Sequence, residues 1–157
     1  MAKAEHSVEV HAPIRQVYDQ WTQFEQFPHF MEGVERVKQV DDKHLHWKAR
    51  IGGKEQEWDA EITEQLPDQR IAWRSASGDH NAGVVTFHRL SDTATQIMLQ
   101  LEYEPQGVAE KTGSALGFLD RQVKSDLERF KELTERTQGA SDGWRGTIED
   151  HPENGQP

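Results

Sequence analysis

Between Val34 and Tyr103 apolar residues return at alternate positions, whereas on either side of that stretch they return every third or fourth. A period of two marks strands and a period near 3.6 marks helices, so the chain is restricted to a series of strands flanked by helices. Within the series Gly52-Gly53 is a hairpin signal, because residues without Cβ atoms accept the positive φ values of a tight turn. A loop at those glycines sets Ile51 opposite Lys54, Leu45 opposite Ala60 and Trp47 opposite Trp58. Two tryptophans thereby become a cross-strand pair.

The rest of the series follows from the same alternation. Val34 to Val40 reads as a strand and Asp41-Asp42-Lys43 as a turn. Leu45, Trp47, Ala49 and Ile51 then share one face of the next strand, and His44, His46, Lys48 and Arg50 share the other. Trp58, Ala60 and Ile62 alternate with Glu57, Asp59 and Glu61, the pattern of a sheet with one wet face. A two-residue loop at Pro67-Asp68 would set Ile62 against Trp73, and Ser77 to Asn81 is the following loop. Gly83, Val85 and Phe87 face the same way as Ile97, Leu99, Leu101 and Tyr103 only if the loop around Ser91 to Thr93 is odd-numbered, since a slip of one residue turns every side chain over. Pro105 and Gly107 end the sheet.

Before the series lies a strand over Ser7 to His11, then a helix from Pro13 to Gln23. Pro13 suits a first helical turn, where its missing N–H is not needed, and Ile14, Val17, Tyr18 and Trp21 form one buried stripe. Phe27-Pro28 ends the helical register, leaving an aromatic corner of Phe24, Phe27, Phe30 and Met31. After the series a helix spans Val108 to Thr137, on the order of 45 Å at 1.5 Å per residue. Leu116, Leu119, Val123, Leu127, Phe130 and Leu133 or Thr134 make its apolar stripe. From Gly139 the composition shifts to Gly, Asp, Pro, Glu and Asn, so residues 139–157 read as a flexible acidic tail.

Three stretches carry a resemblance: Val8-Glu9-Val10-His11-Ala12-Pro13 with Trp21 and Phe27-Pro28; Trp58-Asp59-Ala60-Glu61-Ile62 with Pro67 and Ile71-Ala72-Trp73; and Gly83-Val84-Val85-Thr86-Phe87. Together the chain resembles the START-like superfamily, which includes polyketide cyclases and coenzyme Q-binding proteins. The resemblance implies an α+β helix-grip fold over residues 1–138, a curved antiparallel sheet of about seven strands wrapped around the long C-terminal helix, with a cavity between them for an apolar ligand. It carries no universal catalytic motif, so no catalytic residue is transferred.

Composition removes several classes of function. A net charge of -10 repels phosphate backbones and anionic membrane surfaces, so no nucleic-acid partner is expected. The absence of cysteine excludes disulfides and thiol chemistry. No run approaches the roughly 20 apolar residues of a membrane span and no signal sequence is evident, so a cytoplasmic protein without stable membrane insertion is expected. No cofactor or metal is expected either.

The candidate ligand surface is Trp47, Trp58, Trp73, Phe87, Leu99, Leu101 and Tyr103, of which about half should be ordinary core. Gly113, Ser114, Ala115, Leu116 and Gly117, small residues around one leucine, suggest a cavity mouth at the start of the last helix. His44 and His46 share a strand face, but no third metal ligand accompanies them. Glu55, Glu57, Asp59 and Glu61 read as a solvated face. Asp79, His80 and Asn81 are the best polar rim candidates, with Arg74, Ser75, Ser114 and Tyr103 behind them. The function expected is binding of a lipid, quinone or polyketide, for transport or sequestration. The alternatives are a polyketide aromatase/cyclase and a module with a protein partner.

Overall fold

The computed structural model describes residues 2–51, 54–78, 80–104, 112–137 and 146–148. The order of elements is β1 (Ala2–Val10), α1 (Ile14–Trp21), a short 3-10 helix (Phe24–His29), β2 (Val34–Gln39), β3 (His44–Ile51), β4 (Lys54–Leu66), β5 (Arg70–Ser75), β6 (His80–Ser91), β7 (Ala94–Glu104) and α2 (Thr112–Arg136). The strands form one antiparallel sheet in the order β1-β7-β6-β5-β4-β3-β2, curved around α2. Both flanking helices and the strand series stand where the two hydrophobic periods put them. β1 begins earlier than expected, at Ala2 rather than Ser7, because Ala4, His6, Val8 and Val10 keep one parity although alanine and histidine are weak strand signals. Pro13 caps α1 in extended backbone at ψ 149° instead of standing within its first turn, and its carbonyl accepts the Val17 N–H. Residues 108–111 lie outside the described ones.

The hairpin across residues 52–53 has the expected register, with Ile51 paired to Lys54, Trp47 to Trp58 and Leu45 to Ala60; the two glycines lie outside the described residues. The next two turns reach their registers by another route. Between β4 and β5 the turn has three residues, with Leu66 paired to Arg70 and Asp68 at φ 62°. A bulge at Thr63 absorbs the extra residue, so that Ile62 still pairs with Trp73. Between β6 and β7 the loop is two residues, not an odd number, with Ser91 paired to Ala94. There a bulge at Leu90 restores the parity that sets Phe87 opposite Ile97 and Val85 opposite Leu99, and Leu90 stands exposed.

The core fills the lower part of the concave face. Val123, Leu127, Phe130 and Thr134 of α2 are buried there with Val17, Tyr18 and Trp21 of α1. Ring contacts then run outward from the helix. Phe130 lies 4.9 Å from Trp21 and 5.1 Å from Phe30, Trp21 lies 5.5 Å from Phe27, Phe27 lies 5.6 Å from Trp47, and Trp47 stacks on Trp58 at 5.7 Å. Phe24, Phe27, Phe30 and Met31 are all buried, so the aromatic corner is core.

Polar bonds clamp α2 at both sides of this cluster. Arg129 Nε donates to the Phe30 carbonyl at 2.8 Å, Gln122 Nε2 donates to the Glu32 carbonyl at 3.0 Å, and the Glu32 N–H donates to Asp126 Oδ1 at 3.2 Å. Toward β1, Lys131 Nζ donates to the Glu9 carbonyl at 3.0 Å and the His11 N–H donates to Glu135 at 2.7 Å. Partial burial works against ionising Glu135, yet Lys131 at 2.7 Å and the His11 N–H hold its carboxyl below the usual range. At the foot of the sheet β4 runs past the end of β3, and Ile148 fills the free edge. Its N–H donates to the Gln65 carbonyl at 2.8 Å, its carbonyl accepts the Gln65 N–H at 2.7 Å, and its side chain is buried.

Asp126 makes the clamp sensitive to pH. Burial pushes its carboxyl up to about 6, against the opposing pull of Gln122, Arg129 and the Glu32 N–H. An acid raised above its unfolded value binds its proton more tightly when folded. Its stabilising contribution is therefore complete below the unfolded value and is lost as pH rises through about 6. Asp126→Asn keeps an acceptor oxygen but has no proton to lose. Relative to the parent, this variant should gain about 1 kcal/mol between about pH 5 and about pH 7 in urea unfolding; parallel stability curves would show that Asp126 does not titrate in this range.

Candidate functional site

The pairing register sorts the inward side chains into rows across the sheet. The row Gln65, Ile71, Val85, Leu99 and His6 is closed over by the helices: Ile71 and Val85 have no exposed surface and Leu99 has 1%. The row above it, Ile62, Trp73, Gly83, Leu101 and Ala4, is mixed, with Gly83 and Leu101 half-buried. In the row above that, Ala60 is buried while Ser75, Asn81 and Tyr103 are half-buried. Trp58, whose ring lies 8° from parallel to that of Trp47, is half-buried at the same end, and Gln56 shares its parity. Among the described residues the concave face is thus fully packed below and only half-buried above.

This arrangement divides the expected ligand surface. Trp47, Phe87 and Leu99 belong to the packed core, Phe87 lying edge-on to Tyr18 at 5.3 Å. Trp73 is buried as well, and Trp58, Leu101 and Tyr103 border the open part. Gly113, Leu116 and Gly117 stand in the first turns of α2, and their side-chain surroundings, like those of Ser114, lie outside the described residues, as does Asp79. The polar candidates also separate. Ser75 and Asn81 stand inward, and the Asn81 N–H donates to Ser75 Oγ at 3.1 Å. Arg74 and His80 stand on the outer face beside Glu61 and Glu102, at 3.5 Å and 3.7 Å. Gln56 is an inward polar residue that alternation from Trp58 alone would have found. Ala4 and His6 were hidden by the late start assigned to the first strand.

Gly83 explains how Trp73 reaches this surface. A Cβ at Gly83 would lie 2.5 Å from Trp73 Cζ2 and 2.6 Å from Leu101 Cδ2, so both side chains close over the bare backbone of β6. The glycine leaves the space that its two cross-strand partners fill.

The outer face is covered by cross-strand ion pairs. His46 Nδ1 meets Asp59 at 2.8 Å, Lys48 meets Glu55 at 3.2 Å, and Arg70 meets Glu64 at 2.9 Å. His44 is bound instead to Asp41 at 2.8 Å. The N–H of Lys43, and then His44 itself, hold the exposed Asp41 carboxyl below its usual range. Among the described residues no three His, Asp or Glu side chains converge as a metal site requires. A furrow of about 630 Å³ crosses this outer face over Ala72, Ala82 and Val84, walled by side chains of both charges such as Lys3, Arg74 and Glu102, and it also reaches Trp73, Gly83 and Leu101. No helix among the described residues is long and apolar enough to cross a membrane.

A family model described as polyketide cyclase / dehydrase and lipid transport matches residues 10–132. An uncharacterised 17.2 kDa protein of Streptomyces lincolnensis is 52% identical over 149 residues, covering 94% of this chain and 99% of that protein. Among solved structures, a START superfamily protein from Mycobacterium smegmatis superposes with a TM-score of 0.76 at 12% identity, over 87% of this chain and 99% of the other. The Zhui aromatase/cyclase from Streptomyces sp. R1128 superposes with a TM-score of 0.72 at 19% identity, over 90% of this chain and 98% of the other. At those identities the two structures speak to fold alone.

Gly83→Ala should cost about 1–3 kcal/mol by overpacking and shift tryptophan emission as Trp73 is displaced. Unchanged stability and emission would show that the space over β6 is not needed.

Proposed function

Since the chain belongs to the polyketide cyclase/dehydrase and lipid transport family, we propose that it binds a hydrophobic small molecule, such as a lipid, quinone or polyketide, on the open upper part of its concave face. Its fold is START-like, and in such a fold sheet and helix together make a concave surface. The observation that carries the reading is the change in burial along the strands, from fully closed at Val85 and Leu99 to half-buried at Leu101 and Tyr103. Leaving large apolar side chains short of full burial forgoes about 25 cal/mol per Å². A ligand ring or isoprenoid chain lying on Trp58 and Leu101 recovers it. Pockets of this kind join a mostly apolar lining to a few polar groups, which Ser75, Asn81 and Tyr103 supply.

Binding is favoured over aromatase/cyclase chemistry because of what those polar groups are. Among the described residues the two upper rows hold amide and hydroxyl side chains, with no carboxylate, imidazole or guanidinium to take up or deliver a proton near neutral pH. Asp126, whose carboxyl is raised, is committed to the clamp on residues 30–32.

Organic-solvent extraction of the purified protein followed by mass spectrometry should yield an apolar compound, and quinones and lipids should quench tryptophan emission on titration. Trp58→Ala should weaken binding about tenfold or more, whereas Arg74→Ala on the outer face should leave it unchanged. An empty extract with no quenching by any apolar compound would refute the reading.

A further inference from the structure

On the outer face the register lays one row of alternating charge across five strands. Glu61 of β4, Arg74 of β5, Ala82 of β6, Glu102 of β7 and Lys3 of β1 stand side by side in that order. At each step outward from Ala82 the two sides carry opposite charge. A half-turn about an axis along β6 therefore sets Arg74 against Glu102 of a second copy, and Glu61 against its Lys3. The axis itself is uncharged: between His80 and His88 the outward residues of β6 are Ala82, Val84 and Thr86, all half-buried. A residue on a twofold axis meets its own copy, where a charge would be repelled. Beside them Ala72, opposite Val84, and Met98, opposite Thr86, are also uncharged and half-buried. Elsewhere on this face opposite charges are satisfied within the chain, as in His46–Asp59 at 2.8 Å and Arg70–Glu64 at 2.9 Å. Along the row the pairs are longer, with Arg74 3.5 Å from Glu61 and Glu102 3.7 Å from His80, and Lys3 stands exposed. Longer pairs are weaker and leave more hydrogen-bonding capacity for a partner.

We propose that this face is a self-association surface, on which two copies of the chain meet in a symmetric dimer about an axis along β6. Because the sheet curves around α2, its outer face is convex across the strands. Two such faces touch along a line parallel to the strands, which is where the uncharged strip lies, and the strands of the two sheets then run aligned. The furrow of about 630 Å³ over Ala72, Ala82 and Val84 gives the facing Arg74 and Glu102 side chains room to cross. One like pair arises, Glu64 against Glu5 of the second copy. It stands two strands from the axis, where curvature parts the copies, and Glu64 is already bound to Arg70. A contact centred on three strands is small for a dimer, so it belongs to weak, concentration-dependent association. This surface lies on the opposite side of the sheet from the proposed ligand surface and is independent of it.

Each copy carries a net charge of -10, so salt screens the general repulsion between copies as well as the local pairs. Charge reversal separates the two effects. In sedimentation velocity at neutral pH the parent should pass from monomer to dimer over roughly 10–200 µM. Arg74→Glu and Glu102→Arg should each weaken dimerisation about tenfold or more, because each makes both symmetry-related contacts repulsive. The double variant has the parent's net charge and should dimerise as the parent does. An equimolar mixture of the two single variants should form a heterodimer, since each supplies the charge that the other lacks at both contacts. Recovery in the mixture requires both variants to be folded, so misfolding would not imitate it. A parent that stays monomeric over the whole range, single variants that dimerise like the parent, or a mixture and double variant that remain monomeric would each overturn the proposal.

Discussion

The position of α2 against the lower rows of the sheet is the constraint on which the remaining structure depends. Its stripe of Val123, Leu127, Phe130 and Thr134 closes the foot of the concave face, and Phe130 starts the ring contacts that continue through Trp21, Phe27 and Trp47 to Trp58. Such pairs contribute about 0.5–1.5 kcal/mol each beyond the area they bury. Their larger effect is geometric, since rings fixed edge to face allow few alternative packings. Arg129 and Gln122 then bond the carbonyls of Phe30 and Glu32, so the aromatic corner cannot move without the helix. A rigid foot lets the same sheet stay open at its other end.

Much of this fold was legible from periodicity because the two hydrophobic periods do not overlap. Paired registers such as Trp47 with Trp58 followed directly from the glycine hairpin. Less legible was how the later registers were reached. Counting loop residues gave the right partner for Trp73 with the wrong turn, because a bulge at Thr63 offsets a three-residue loop, and the bulge at Leu90 does the same for a two-residue loop. Alternation constrains which side chains must share a face, and the chain meets that constraint by inserting a residue wherever a turn has the wrong parity. Neither Thr63 nor Leu90 carries a local signal, since bulges satisfy distant pairing.

The candidate site was legible to a similar depth. Parity placed Trp58, Trp73, Leu101 and Tyr103 on one face, but it treats all inward residues alike and could not tell Leu99 from Leu101. That distinction arises from the packing of α1 and α2 over the lower rows, a tertiary fact. The loop grouping of His80 with Asn81 likewise dissolved, because adjacent residues on a strand face opposite ways. Asn81 instead joined Ser75 and Tyr103, each on a different strand. The cost of this organisation is visible at Gly83, where a strand interior accepts a poor strand former so that Trp73 and Leu101 can close over it.

Two surfaces of the sheet therefore compete as places for an apolar ligand: the open upper rows of the concave face and the mixed-charge furrow over Ala82 and Val84 outside. Intermolecular nuclear Overhauser effects from bound methylnaphthalene decide between them most directly. The account predicts contacts to the Trp58 indole and the Tyr103 ring, with none to Val84. Contacts to Val84 and Ala82 without Trp58 or Tyr103 would contradict it.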